Sequence, residues 1–208
     1  MTDSFDRTCA ELRARGTVTL PGRPSTWTRV LTVLMTVLLV MVAGLVVAGI
    51  ITLLVVSING VAVHPVGFAV PLMLAGLGWL LLRAFRSHRA FATAQTLPVT
   101  LSPQGFTVRG IGPVPWHDVQ PPAHHLVPSQ HDSGYERRAA MALSPSGLRN
   151  VAALSREQRK LLGPVKRSIF ARSDMNYIYV PDAEGLSTDE TMQLFRTAHE
   201  MFTRGAAV

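Results

Sequence analysis

A single cysteine, Cys9, leaves this 208-residue chain without an intramolecular disulfide and without a thiolate set for a metal, as expected of a reducing, cytoplasmic setting. Lipoprotein-type acylation of Cys9 is not expected either, because no apolar segment precedes it. Also missing are a Gly-x-x-x-x-Gly-Lys-Ser/Thr loop, a Gly-x-Gly-x-x-Gly helix opening and a Gly-x-Ser-x-Gly elbow, so nucleotide binding and serine-hydrolase chemistry lose their usual signals. No enzyme activity and no cofactor is expected. The most consequential absence is of charge: none occurs from Val30 to Val56, and none again from Val61 to Leu82.

The first of these runs, VLTVLMTVLLVMVAGLVVAGIITLLVV, exceeds the roughly 20 residues needed to cross ~30 Å of hydrocarbon. A break at Ser57-Ile58-Asn59-Gly60, with His64-Pro65 soon after, separates it from the second, which runs from about residue 61 or 66 to residue 82. Both runs are apolar all round, which fits a two-helix transmembrane hairpin better than a soluble core helix with a polar face. A cleaved signal is excluded by the length and late start of the first run and by the second span. Arg7, Arg13, Arg15, Arg23 and Arg29 precede the hairpin, Arg83, Arg86 and Arg89 follow it, and the connecting loop has no Lys or Arg. The positive-inside rule then puts both termini in the cytoplasm, with the chain multi-pass in the inner membrane. Trp27 and Trp79 suit the headgroup level on that same side.

Within the first span Thr32, Thr36, Gly44, Ala48 and Thr52 recur at multiples of four, a small-residue stripe for close helix approach. Gly67, Ala75, Gly76 and Gly78 answer them in the second. Packing of the hairpin's own helices is the economical reading, and contact with another copy or another membrane protein is the alternative. Pro71 predicts a kink. No Asp, Glu, Lys or Arg interrupts either span, and His64 reads as a loop histidine, so transport is disfavoured.

Residues 1–29 carry Gly16, Pro21-Gly22 and Pro24 and read as a mostly irregular arm, with Thr17-Val18-Thr19-Leu20 as a short strand that could add to a later sheet. Residues 83–96, RAFRSHRAFATAQT, form a basic juxtamembrane linker able to continue the second helix along the headgroups. From Leu97 the pattern becomes short alternating runs: Val99 and Leu101, then Phe106 and Val108, across a Ser102-Pro103-Gln104-Gly105 turn. Val114-Pro115-Trp116-His117-Asp118-Val119 reads as a third strand anchored by Trp116, Glu136 to Leu143 and Ser168 to Arg172 as intervening strands, and Asn176 to Pro181 as the last. Leu154 to Arg167 predicts a helix capped by Ser155, in a stretch that departs from a tidy barrel, as do the Pro- and His-rich residues 120–134. Ser187 with Glu190 forms a capping box for a closing helix whose Met192, Phe195, Ala198, Met201 and Phe202 share one face.

The order strand, Ser-Pro-x-Gly turn, strand, Gly-rich turn, Pro-Trp-x-x-Val, with that closing helix, resembles bacterial pleckstrin-homology-like (PH-like) domains on membrane proteins with two N-terminal helices. The resemblance spans residues 97–203 and the hairpin. It implies an α+β membrane protein: a transmembrane hairpin over residues 30–82, then a PH-like antiparallel β-barrel or sheet capped by a C-terminal α-helix, with residues 204–208 as a tail. High Ala, Arg and Val usage with little Lys also fits a GC-rich bacterial genome.

The net charge of +7 does not by itself point to nucleic acid, because the arginines flanking the spans account for much of it. Arg137, Arg138, Arg149, Arg156, Arg159, Lys160, Lys166, Arg167 and Arg172 form either a solvated basic face or a surface for anionic lipid headgroups. For headgroup contact the candidates are Arg83, Arg86, Arg89, Arg137, Arg138, Lys160, Lys166 and Arg167; for helix packing they are Thr36, Gly44, Ala48 and Thr52. His117, Asp118, His124, His125, His131 and Asp132 are metal-ligand types without a closed-site spacing, so no metal is expected. The expected function is a membrane-anchored binding or scaffolding module. Its partners are the bilayer, its anionic headgroups, and another membrane protein or a second copy, and the alternative role is an accessory subunit of a larger membrane complex.

Overall fold

The computed structural model describes residues 2–59, 65–128, 134–163 and 176–204. It divides into two compact units, one of Thr26–Ala90 and one that joins Met1–Ser25 to Phe91–Val208.

The first unit holds helices α2 (Thr26–Ile58) and α3 (Ala69–Gln95, leaving the unit at Ala90), the latter entered through a 3₁₀ turn at Pro65–Phe68. Both helices are long and apolar enough to cross a membrane. The 33 residues of α2 extend about 50 Å at 1.5 Å per residue. The apolar part of α3 is shorter, but residues 69–82 with the 3₁₀ turn still reach about 30 Å, the thickness of the hydrocarbon. Val33, Leu34 and Val40 are 60–68 % exposed, an arrangement that water penalises and hydrocarbon accepts. Pro71 produces no mid-helix break: it is the third residue of α3, in the first turn, where its missing N–H costs no intrahelical bond. His64 and Gly60 lie outside the described residues.

The second unit begins with a finding that the sequence reading missed. The arm is ordered: α1 (Thr2–Arg15) packs on the unit through Phe5, Cys9 and Leu12, one face at spacings of four and three. Gly16, at φ +68°, ends the helix by donating its N–H to the Leu12 carbonyl at 2.9 Å. Strand β1 (Val18–Leu20) then pairs antiparallel with β2 (Val99–Ser102), Val18 opposite Leu101 and Leu20 opposite Val99. β3 (Gly105–Val108) and β4 (Ile111–Val114) complete a four-stranded sheet in the order β1-β2-β3-β4. Val18, Leu20, Val99, Leu101, Phe106 and Val108 turn one buried face to the core.

The third strand is displaced from its expected place. β4 ends at Val114, and Trp116–Asp118 is a 3₁₀ turn, because Pro115 removes a ladder donor where the strand would have continued. Trp116 is nevertheless the core anchor: its indole N–H donates to the Ser102 carbonyl at 2.8 Å and its ring stacks on Phe202. β5 (Ala123–Pro128), β6 (Tyr135–Ala142) and β7 (Tyr177–Tyr179) form a second antiparallel sheet in the order β5-β6-β7. β5 occupies the stretch whose Pro and His content hid it. Helices α4 (Pro145–Ala153) and α5 (Arg156–Leu162) follow β6, the latter with the expected Ser155 cap closed into a box by Gln158. The expected strand at 168–172 and residues 164–167 of the expected helix lie outside the described residues.

Helix α6 (Thr188–Arg204) closes the unit. The Glu190 N–H donates to Ser187 Oγ at 3.2 Å and the Ser187 N–H to Glu190 Oε2 at 2.7 Å. Phe195, fully buried, sits edge-on against Phe106 and Trp116. The architecture is thus α+β with two antiparallel sheets; among the described residues they stay separate and do not close into a barrel.

Two tests follow from this packing. If α1 is part of the core, Leu12→Ala lowers the unfolding free energy by about 2–5 kcal/mol in a denaturant titration of the full chain, whereas an irregular arm predicts no change. The hydrogen bonds from the Ser187 N–H and hydroxyl hold the Glu190 carboxyl below its ordinary value. A carboxyl lowered in the folded state stabilises above its unfolded pKa and loses that contribution as pH falls through the folded one. Protection factors of the first-turn amides of α6, taken relative to intrinsic exchange at each pH, therefore fall as the carboxyl protonates in the acid range, and Glu190→Gln removes this pH dependence.

Candidate functional site

In the helical unit the seam follows a heptad rather than the small-residue stripe. Thr28, Met35 and Val42 are the buried positions of α2, seven residues apart. Half-buried Pro71, Leu74, Gly78, Leu81, Phe85 and His88 recur on α3 at spacings of three and four. A methyl added at Gly49 would meet the Pro71 ring at 3.3 Å, and one at Gly78 would meet Val42 at 3.4 Å. Thr36, Gly44, Ala48 and Thr52 are all exposed, and nothing lies within 4 Å of a Cβ built on Gly44. The economical reading of the stripe holds only at Thr32, which meets His88 of α3, and at Gly78, which meets Val42; Thr36, Gly44, Ala48 and Thr52 do not pack α2 on α3. Its threonines bond back into their own helix, Thr36 to the Thr32 carbonyl at 2.8 Å and Thr52 to the Ala48 carbonyl at 2.9 Å.

The polar link between the two helices comes from a residue the sequence reading left among the linker bases. His88 Nε2 lies 2.9 Å from Thr32 Oγ1 and 3.2 Å from the Thr28 carbonyl. Thr32 Oγ1 already donates to that carbonyl at 2.7 Å, so the ring must present its Nε2–H as donor to both oxygens. Five residues before His88 on α3, the Arg83 guanidinium lies 5.8 Å over the Trp79 ring. Arg83, Arg86 and Arg89 are exposed and away from the seam.

The remaining basic candidates do not form one group. Arg137 and Arg138 are neighbours on β6 and so point to opposite faces of the sheet. Arg137 is exposed; Arg138 pairs with Glu136 at 2.8 Å, lies over the Tyr179 ring, and keeps only 14 % of its side chain exposed. Arg138 is therefore withdrawn as a headgroup contact. Lys160 is exposed on α5, and Lys166, Arg167 and Arg172 lie outside the described residues. The base that the sequence reading overlooked is Arg109. It occupies the two-residue β3–β4 turn at φ +52°, beside Gly110 at φ +74°. Its guanidinium is buried and donates to the Leu161 and Gly163 carbonyls at 2.5 and 2.8 Å, with Phe91 against its face. Burial lowers its pKa to about 10, partly offset by Asp182, so it remains a cation at neutral pH and ties α5 to the sheet.

The His and Asp residues are likewise dispersed. His124 faces Asp189 at 3.3 Å, and His125, on the opposite face of β5, packs on Tyr177. His131 and Asp132 lie outside the described residues, and among the rest no three potential ligands gather. Asp118 does structural work: its buried carboxylate accepts from Ser146 Oγ at 2.6 Å and Asn150 Nδ2 at 2.7 Å, and its carbonyl accepts the Ser144 N–H at 2.9 Å. Together these bonds fix the start of α4, where Gly147 passes so close to the Asp118 carbonyl that no Cβ fits. Exposed His117 lies 3.6 Å from the same carboxylate. Ser146 donates to Asp118 directly, so it is not activated by an imidazole as a nucleophile would be.

Beside this network a cleft of about 240 Å³ opens between β4 and helices α4 and α5, walled by Ile111, Val114, Leu143, Val151 and Leu154, with Asp118 and Asn150 at its polar side. It offers van der Waals contact to a small apolar group, while its carboxylate is already satisfied. No protein-family model matches this chain, and comparison with curated proteins and with solved structures also gives no match.

Removing one partner from each network has a distinct readout. Thr32→Val weakens the hairpin by about 0.6–2 kcal/mol, the usual range for an interhelical hydrogen bond, in a detergent unfolding titration. Asp118→Ala strands Ser146 and Asn150 and costs about 1–3 kcal/mol per unsatisfied group, visible as early exchange of the α4 amides.

Proposed function

We propose that this chain is a non-enzymatic, membrane-anchored binding or scaffolding module, held by α2 and α3 at the inner face of a bacterial cytoplasmic membrane. The observation that carries the reading is the β1–β2 ladder. Residues 18–20 precede the first span and residues 99–101 follow the second, so one sheet that contains both supports an even number of crossings. The arginines on both flanks of the hairpin support the cytoplasmic side for both termini. Anchoring keeps the soluble unit at the bilayer, so contacts with a partner there become near-intramolecular.

The PH-like reading draws support from the four-stranded and three-stranded antiparallel sheets and from the way Phe195 of the closing helix meets Phe106 and Trp116. The separation of the two sheets is where the chain departs from that pattern.

A second reading, an accessory subunit of a larger membrane complex, is favoured by one observation: Thr36, Gly44, Ala48 and Thr52 face away from α3 and leave a smooth strip for another helix.

On the first reading the chain stays in the pellet on alkaline carbonate extraction. Exposed Arg156, changed to Cys, then reacts with an impermeant maleimide in inside-out vesicles and not in spheroplasts. Release into the supernatant, or the reverse labelling, refutes it. On the second, Gly44→Leu/Ala48→Leu in the full chain abolishes co-purification of a membrane partner; a partner that is retained counts against the strip.

A further inference from the structure

The sheet-bearing unit covers its large apolar side chains well, with two exceptions. Leu97 and Leu148 are each 41 % exposed, but Leu126 is 69 % and Tyr135 73 % exposed. These two are close neighbours. In the β5–β6 ladder Leu126 opposes Arg137 and Pro128 opposes Tyr135, so Leu126, Tyr135 and Arg137 share one outward face of the hairpin. The other face is packed: Val127 is 1 % exposed, and Glu136 pairs with Arg138. The exposed trio is thus not the consequence of a loose hairpin.

We infer that this face docks on the anionic headgroup layer of the bilayer that α2 and α3 cross, an inference that rests on the anchored reading above. The residue types select that occupant. Leu126 supplies an apolar side chain that can enter the acyl boundary, Tyr135 an amphipathic ring of the kind enriched at membrane interfaces, and Arg137 a cation whose cross-strand neighbour is Leu126 rather than an acid. Positive charge beside exposed apolar groups complements an anionic leaflet, where each basic residue near the surface adds attraction. The tether adds the rest: a weak patch suffices once the same chain already spans the bilayer. Arg138, one residue on, is excluded from the contact by its turn to the packed face.

The test uses the full chain in vesicles of phosphatidylcholine with phosphatidylglycerol, carrying a fluorophore on Leu126→Cys and, in a parallel sample, on Arg156→Cys. Buried Cys9 sets the background in the unsubstituted protein. Nitroxide lipids are expected to quench position 126 several-fold more than position 156. Arg137→Glu should lower the docked fraction by roughly tenfold, as should high salt. Equal quenching at both positions overturns the inference. So does quenching indifferent to lipid charge and to Arg137→Glu, or energy transfer between labels at 126 on two copies, which would assign the face to a second chain. Release of the protein by alkaline carbonate would strike the anchored reading instead; a retained chain with position 126 in water strikes only this one.

Discussion

The structure depends on one short ladder. Three residues of β1 pair with β2 across 81 positions of sequence, marked by Thr19 and Thr100 hydroxyls 3.4 Å apart. Everything between them is the hairpin and its juxtamembrane extension. The ladder gives Leu101 and Val99 a neighbour on their open side, and it brings α1, with Leu12 and Cys9, over the same core. Without β1, β2 would be an uncovered edge carrying fully buried residues on one face. The main core of the sheet-bearing unit is therefore assembled from both ends of the chain.

The two units solve opposite solvation problems. In the hairpin most large apolar side chains are exposed, and specificity comes from a narrow heptad seam plus one bifurcated donor, His88, at its end. Across the sheets most apolar side chains are hidden, and three buried polar groups hold helices in place: Asp118 holds α4, Arg109 holds α5, and His199 lies 3.1 Å from the Val119 carbonyl beneath α6. Each of these three ties a helix to the strands or to the turn that follows them, so the unit is braced at the places where its helices would otherwise detach.

Much of this was legible in the residues. Uninterrupted apolar runs dictate the spans, the alternation around Ser102-Pro103-Gln104-Gly105 dictates β2 and β3, and the Ser187/Glu190 pair dictates the start of α6. What stayed hidden has physical reasons. The apolar positions of α1 are only Phe5, Cys9 and Leu12 among charges, and Gly16 reads equally as loop or as cap. β5 is masked by Pro121 and Pro122 just before it and Pro128 at its last position, none of them inside the strand's interior. The small-residue stripe was legible, but which face of α2 meets α3 depends on the partner's sequence: Gly78 makes room for Val42, and Gly49 for Pro71, so bulky and small residues interlock where a like-with-like rule would not look. Of the basic candidates, charge alone could not separate Arg137 from Arg138, since the strand's two-residue period and Glu136 decide which of them meets solvent.

The β1–β2 ladder also orders the protein's biogenesis. β1 is translated before α2 and α3, yet β2, the strand that completes it, is translated only after both helices. Until then the apolar face of Val18 and Leu20 has no lasting partner. Packing of α2 on α3, with His88 beside Thr28 and Thr32, brings the ends of the hairpin together, which shortens the effective loop that β1 must close, because closure entropy grows with the length of free chain. The helical hairpin thus acts as the template on which the first and second strands find each other.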